Sequence, residues 1–373
     1  MKNADVIIIG GGVIGCSMAY YLSKAGVEVL VLEKDEIGSG ASGRNGGGVR
    51  QSARDPREMP LAIHAVRNLW PGLSEELGTD VEYHCSGNLR LGKKKEHLGI
   101  LEKIVAQGLA AGLDLKMING AEVKELCPYA SEEVIGASYC PSDGHGNPMK
   151  TTLGLYKKAR ELGARFITGE TVQTLVLRKG KVCGVKTSNT DYEAPLVIVA
   201  AGLGSRPIAH TAGIDIPMQK VMLEALITET QPQMFPQMIG TAASDFYGHQ
   251  TDHGSFVFGG MTGLENFSSE EEVPLTRSIT APAICRAILG YFPCLENAKI
   301  IRTWSGFLDE MADHVPVLSK VDEVPGLVLA CGFSGHGYGI SPAVGQVMAE
   351  LVSHGQPSIS LEAFRYDRFK PRV

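Results

Sequence analysis

Three glycines, Gly10, Gly12 and Gly15 of VIIIGGGVIG (6–15), have a spacing at which the backbone itself can do chemistry. Gly10 permits a tight turn, Gly12 lets a pyrophosphate approach the main chain, and Gly15 with Ala19 lets a helix pack closely on the preceding strand. Val13 and Ile14 open that helix. Its free N–H groups and dipole favour phosphate. Glu33, followed by Lys34, stands at the end of the next apolar run. An acid there takes ribose hydroxyls and argues against a 2′-phosphate. The loop predicts a dinucleotide and does not decide between NAD and FAD.

Two further glycine clusters need explaining. The stretch GSGASGRNGGG (38–48) contains Ser42, Gly43, Arg44, Asn45, Gly46 and Gly47, and is too glycine-rich for regular structure. It predicts an extended loop beside a ligand. Near the other end, LVLACGFSGHGYGISPAVG (327–345) runs a strand into Gly335, His336, Gly337, Tyr338, Gly339 and Ile340, with a helix expected to start immediately after Ser341-Pro342.

The elements that hold these loops alternate in type. A β-branched strand (5–9), an apolar-periodic helix (13–25) stopped by Gly26 and a strand VEVLVLEK (27–34) form a βαβ start, which implies a parallel sheet. Helical patterns recur at 58–77, 94–112 and 152–162; a meander is expected at 165–187 and a strand meeting glycine at 194–205. LEALITE (223–229) and GSFVFGG (254–260) read as strands of a broad second sheet. The fold class is therefore α/β: a Rossmann-like dinucleotide-binding domain with a parallel sheet, interwoven with an α+β substrate domain on a mostly antiparallel sheet. The first is expected to comprise 1–80, 145–215 and 320–373, and the second 81–144 and 216–319.

Composition excludes several classes. A chain of 373 residues with 44% hydrophobic residues can bury more than one core, and its formal charge of −6 gives no basic footprint for nucleic acid. The eight cysteines never approach closer than nine positions, so no local metal or iron–sulfur spacing exists, and no metal is expected. No targeting pattern precedes Asp5 and no apolar run reaches membrane-spanning length. The expectation is a cytoplasmic protein without an integral membrane segment.

GSGASGRNGG together with GFSGHGYG resembles the D-amino acid oxidase-like FAD-dependent oxidoreductases, in particular the sarcosine oxidase branch. The resemblance covers nearly the whole chain and includes VIVAAGLGS (197–205), RTWSGF (302–307) and the segment from Asp313 to Pro316. SGRNGGGVRQSARDP (42–56) is most similar to the β subunits of heteromeric sarcosine oxidase, proline or D-hydroxyproline dehydrogenase and opine-oxidising enzymes.

The resemblance implies an extended FAD, its ADP half at the first glycine loop and its flavin under the late one. Val172, Ala201, Gly202 and Gly306 join the three glycine clusters as cofactor contacts. It implies hydride transfer from the α C–H of a secondary amino acid (sarcosine, proline, hydroxyproline or opine type) to flavin N5, giving an imine. Arg50 is chosen for the substrate carboxylate, because a guanidinium grips it bidentately and relatives have an arginine in that loop. His336 and Tyr338 should face the flavin or the substrate cavity, with Tyr247, Trp304 and Glu310 as further lining residues. His145 in DGHGNP suits a tight turn as well as catalysis.

RTWSGF has no cysteine for covalent attachment, so FAD is expected to be noncovalent. Where relatives carry covalent FMN on the histidine of an R-H-D run, this chain reads His145-Gly146-Asn147. FMN is then either held without that bond, at a subunit interface, or missing. A dehydrogenase lacking an iron–sulfur motif would need a companion subunit with electron-transfer cofactors. A stand-alone oxidase passing electrons to oxygen is the alternative; an NAD-dependent dehydrogenase or a non-catalytic scaffold subunit fits the glycine loops less well.

Overall fold

The computed structural model describes residues 4–370. Its six-stranded sheet has the order Val317–Lys320, Leu327–Cys331, Leu196–Val199, Val6–Ile9, Val29–Leu32, Arg165–Ile167. Adjacent strands are parallel throughout, except that Val317–Lys320 runs antiparallel on its edge. Strands such as VIII and VLVL are buried at every position, as expected of a sheet covered on both faces. One cover is helical, with Val13–Lys24 packed against Pro148–Glu161 and Gly337–Ser353. The other includes the antiparallel meander Val172–Arg178, Lys181–Thr187 and Asp191–Glu193.

An eight-stranded sheet follows the order Ile300–Met311, Met218–Thr230, Ser255–Gly260, Tyr247–Gln250, Met238–Thr241, Asn88–Gly92, Gly136–Cys140, Lys116–Asn119. Only Met238–Thr241 with Asn88–Gly92 is a parallel pair. Side chains alternate between faces along each strand. One face packs Leu89, Leu91, Leu226, Phe256 and Phe258 with Ile284 and Ile288 of the helix Thr280–Tyr291. The opposite face mixes Arg90, Tyr247 and Trp304 with glycines and smaller or apolar residues. This mixture of a parallel and a mostly antiparallel sheet is the fold class the sequence predicts. Among the described residues no helix is long and apolar enough to cross a membrane.

Two local expectations are corrected. The segment 38–48 is not wholly irregular: Ala41–Gly43 forms a 3₁₀ turn, and Gly48–Val49 pairs with Gly144–His145. The last long helix begins at Gly337, not after Pro342, which lies inside it. Proline there removes a bond to the Tyr338 carbonyl. Ser341 Oγ donates to that carbonyl instead, at 2.9 Å. Trp70 Nε1 donates to the Gly339 carbonyl at 2.8 Å and Ser17 Oγ to that of Ser341 at 2.8 Å. Side chains thus hold the first turns.

Candidate active site

The glycine loop at 10–15 is built for close approach. Gly10 has φ +110°, and a Cβ there would lie 2.4 Å from the Ala200 carbonyl oxygen; a Cβ at Gly15 would lie 1.9 Å from that of Gly10. Helix Val13–Lys24 therefore starts hard against the strand ends, capped by no side chain of Gly12. Ser42 Oγ accepts from Val13 N–H at 2.8 Å, which brings the second glycine cluster onto the helix start. Glu33 accepts from Gly11 N–H at 2.6 Å and Asp35 N–H at 2.9 Å; Lys34 beside it is exposed. Glu170 N–H donates to the Glu33 carbonyl, so the turn leading into Val172 abuts the same strand end. Ala200 N–H donates to Ile9 O, placing Ala201 and Gly202 (φ +54°) beside Gly10. These glycines, the helix start and Glu33 make a cradle that an extended dinucleotide fits.

The second and third clusters converge over the eight-stranded sheet. Arg44 donates from Nη1 to Ser305 O at 3.0 Å and from Nε to Ser39 O at 3.2 Å, while its own carbonyl accepts Trp304 Nε1–H at 2.9 Å. A Cβ on Gly306 would lie 3.2 Å from Arg44 Cβ. Asn45 braces the loop by donating to Ser42 O and accepting from Gly47 N–H. Gly43 sits against Met149, Gly46 against the Tyr247 ring and Gly47 against the Gly146 carbonyl, at distances that no Cβ would tolerate.

Beneath this chain one rung crosses all eight strands. Met117, Ser138, Arg90, Gly240, Tyr247, Gly259, Ala225 and Trp304 are successive cross-strand partners and share a face. The main chain from Arg44 follows the same face: Arg44 meets Trp304, Gly46 meets Tyr247, Gly48 meets Met238. Arg50 comes next. Its Nη1 donates to Ser52 O at 3.0 Å and Ala53 O at 3.4 Å. Among the described residues no carboxylate lies within ion-pair distance of Arg50 or Arg90. The Arg50 charge nevertheless reaches Tyr247, His336, Glu58, Asp143 and Arg90, so these groups surround it. Burial lifts the Tyr247 phenol above its usual range, against the opposing pull of the Gly46 backbone and Arg50.

A buried charged group supports the late loop. Arg54 donates from Nε to Arg50 O at 2.8 Å and from Nη2 to His336 O at 3.1 Å, and its Nη1 lies 3.7 Å from Glu58. Glu58 Oε2 lies 3.4 Å from His336 Nδ1. Burial lowers Arg54 to about 10, with Glu58 opposing the fall. Burial disfavours the Glu58 charge, yet His336 and Arg54 hold its carboxyl below the ordinary range. Burial also lowers the His336 imidazole, with Glu58 opposing. Asp143 is pushed up by burial against bonds from Ser52 and Gln51, whose N–H donates at 2.8 Å. It pins the 50–52 turn.

Not every expected residue comes to this place. The Tyr338 ring packs edge-on to Trp70 with centroids 5.2 Å apart, and its hydroxyl bonds Thr151 Oγ1 at 3.0 Å. Because the helix starts at Gly337, Tyr338 lies in its first turn and points into the helical layer, away from Tyr247. Gly335 (φ +77°) is exposed, while Gly339 and Ile340 are buried. Glu310 pairs with His314. His145 is stacked on His249 with centroids 4.0 Å apart and is lowered to about 4, chiefly by burial, so it is neutral at pH 7. Sequence reasoning missed Arg54, Glu58, Arg90 and Asp143. The i, i+4 spacing of Arg54 and Glu58 was one available signal; Arg90, one charge in NLRLG, offered none.

A parallel sheet with a phosphate-type glycine loop, joined to an antiparallel sheet carrying a charged and aromatic face, defines a dinucleotide-dependent enzyme. Residues 5–351 match the FAD-dependent oxidoreductase family DAO, and the chain belongs to that family. It is 30% identical to the sarcosine oxidase β polypeptide of Rhodobacter capsulatus, over 99% of this chain and 89% of that one. One of the opine oxidase polypeptides of Rhizobium meliloti, likewise named as a subunit, is 26% identical, over 99% and 98%. The crystal structure of L-proline dehydrogenase from P. horikoshii superposes with a TM-score of 0.92 at 29% identity, covering 99% of this chain and 98% of that one.

Proposed function

We propose that this chain oxidises a secondary amino acid of sarcosine, proline, hydroxyproline or opine type at its α C–H, as the catalytic subunit of a hetero-oligomeric dehydrogenase. The observation that carries the reading is Arg50, with no carboxylate within ion-pair distance among the described residues, held between the late glycine loop and the Tyr247 rung. The relatives named for sarcosine, opine and proline substrates support the substrate class, and the names of the first two, as subunits, support a companion chain. FAD would be held noncovalently at Gly10–Gly15, Glu33, the 42–47 loop and the 335–340 segment. When bound it would accept the α-hydride of the neutral amine as a two-electron acceptor, leaving an iminium that becomes the imine when its N–H proton is lost to solvent.

The remaining work belongs to the chain. Arg50 would take the α-carboxylate bidentately and so fix the α carbon. Tyr247 and Trp304 would form the apolar wall above it. Burial disfavours the charged form of His336, so this imidazole leaves the positive charge of the site to Arg50. The N-terminus of helix Gly337–Ser353 would favour negative charge on the reduced cofactor. At Gly146, a Cβ would come within 2.7 Å of the Tyr338 hydroxyl. Glycine at that position offers no side chain for a covalent FMN link.

The test is anaerobic titration of the purified flavoprotein with secondary amino acids, reading loss of the yellow absorbance. Arg50→Ala should raise the half-saturating concentration about 100-fold while leaving FAD content unchanged. An unchanged titration removes Arg50 from the site, and protein that neither contains nor takes up FAD defeats the whole reading.

A further inference from the structure

Arg50 is fixed through its own main chain. The peptide that joins it to Gln51 is gripped at both ends: its carbonyl accepts Arg54 Nε–H at 2.8 Å, and its N–H donates to Asp143 Oδ1 at 2.8 Å. A cation thus sits at the oxygen and a carboxylate at the hydrogen, each matched to the peptide dipole. Both side chains are buried. Asp143 holds the next residue as well, accepting from Ser52 N–H at 3.3 Å and from Ser52 Oγ. Arg50 Nη1 rests on the Ser52 carbonyl at 3.0 Å, so the grip reaches the guanidinium.

Arg54 carries the grip to the late segment. Nε and Nη2 are the two donors of one guanidinium edge, and Nη2 donates to His336 O at 3.1 Å. The Arg50 and His336 carbonyls therefore lie side by side. A Cβ on Gly339 would lie 3.1 Å from Arg54 Nη2 and 3.4 Å from Arg50 N, which shows how closely the late helix meets this turn. Asp143 follows strand Gly136–Cys140 of the eight-stranded sheet, so three separated segments meet at one peptide. Two of them carry non-glycine residues in the left-handed region, Ala53 at φ +52° and Ser334 at φ +49°. Such residues persist where their surroundings over-determine the backbone.

Stability does not account for Arg54. Its Nη1 lies 3.7 Å from Glu58 Oε1, and neither Nη1 nor the two Glu58 oxygens make a hydrogen bond among the described residues. A buried pair matched this loosely contributes little net stability. What the guanidinium supplies is the spacing of two carbonyls.

We propose that Arg54 and Asp143 are positioning residues for the oxidation: they hold Arg50 in register with the late glycine segment, so that a carboxylate taken by Arg50 presents its α C–H to the reacting face of the cofactor. They act through Arg50 and supply alignment, not affinity. This rests on the proposed role of Arg50.

The experiment uses the double variant Arg54→Gln/Glu58→Gln, which leaves no lone buried charge. It follows anaerobic reduction of the intact flavoprotein by the secondary amino acid that reduces wild type at the lowest concentration. The limiting rate should fall about 100-fold while the half-saturating concentration moves less than about threefold. FAD content should stay at wild type. Butyrate, a carboxylate without an amine to oxidise, should perturb the flavin spectrum with an unchanged midpoint. Arg54→Lys keeps a charge opposite Glu58 but cannot span two carbonyls with a planar fork, so its rate should fall comparably. Asp143→Ala, at the other end of the peptide, should give the same split between rate and affinity. In an Arg50→Ala background neither Arg54→Gln/Glu58→Gln nor Asp143→Ala should lower the limiting rate by more than about threefold.

A wild-type limiting rate in Arg54→Lys overturns the proposal, and this variant decides if the double variant fails to fold. A raised half-saturating concentration at an unchanged limiting rate overturns it too, because Arg54 would then supply affinity. Loss of FAD makes Arg54 a prop of the cofactor cradle and overturns it likewise. Effects that add fully to those of Arg50→Ala show action independent of Arg50 and sink it while leaving the assignment of Arg50 standing. If Arg50→Ala alone leaves the titration unchanged, the assignment of Arg50 falls and the clamp falls with it.

Discussion

On the proposed reading, the chemistry falls to backbone atoms in the six-stranded sheet and to side chains in the eight-stranded sheet. Val6–Ile9 and Val29–Leu32 bring a helix N-terminus, Gly10 and Glu33 together within 28 residues. The candidate face of the other sheet takes one residue from each of eight strands, Arg90 and Trp304 among them. The parallel strands are buried on both faces, so their side chains serve packing and their ends serve the ligand. The antiparallel strands bury one face and leave the other for recognition. That reading concentrates cofactor chemistry in one short stretch and spreads substrate chemistry over the chain, where single substitutions would change it. Two predictions would break this division if they failed.

The largest effect should come from Gly15→Val. Its Cβ would lie 1.9 Å from the Gly10 carbonyl, so helix and strand cannot keep their spacing. FAD content after gel filtration should fall below about a tenth of wild type, with turnover lost in proportion. Gly259→Val injures the other sheet. A Cβ there would meet Cζ and Oη of Tyr247 at 3.1 Å and tilt the ring across the rung. FAD content should stay near wild type while kcat/KM falls about 10- to 100-fold, because the reacting groups are misaligned and the cofactor cradle is untouched. Flavin loss in Gly259→Val comparable to that in Gly15→Val would show that the sheets are not functionally separable.

The same contrast explains what could be read from the sequence. The first glycine loop was legible because turn, close approach and helix start are local demands that glycine spacing records. The parallel sheet and the broad antiparallel sheet were legible because β-branched runs and alternation record burial. The rung was not: registry across eight strands depends on pairings that no local pattern encodes, so Arg90 looked like any surface charge on a strand. The late helix was misread for a physical reason. Pro342 normally marks a first turn, but Ser341 Oγ compensates the bond it removes and lets the helix begin at Gly337. That shift turned Tyr338 toward Trp70.

The smallest effect concerns Asp309, which joins the two regions. It lies on strand Ile300–Met311 of the eight-stranded sheet, and its Oδ2 accepts from Gly332 N–H at 2.8 Å, just past the strand Leu327–Cys331 of the other. Its carbonyl accepts Ser334 N–H at 3.3 Å. Burial raises the Asp309 carboxyl to about 6, despite the backbone bonds of Gly332 and Phe333. The folded state therefore holds this proton more tightly than the unfolded chain does. The associated stability is complete below the ordinary carboxylate range and is lost as pH rises through about 6. Asp309→Asn keeps an acceptor for Gly332 N–H and carries no charge. At pH 8 the variant should be more stable than wild type by up to about 3 kcal/mol, and the gap should close as pH falls toward 4. Denaturant melts across that range check it. A gap independent of pH would assign Asp309 a packing role alone, and the junction between the sheets would then not depend on its ionisation.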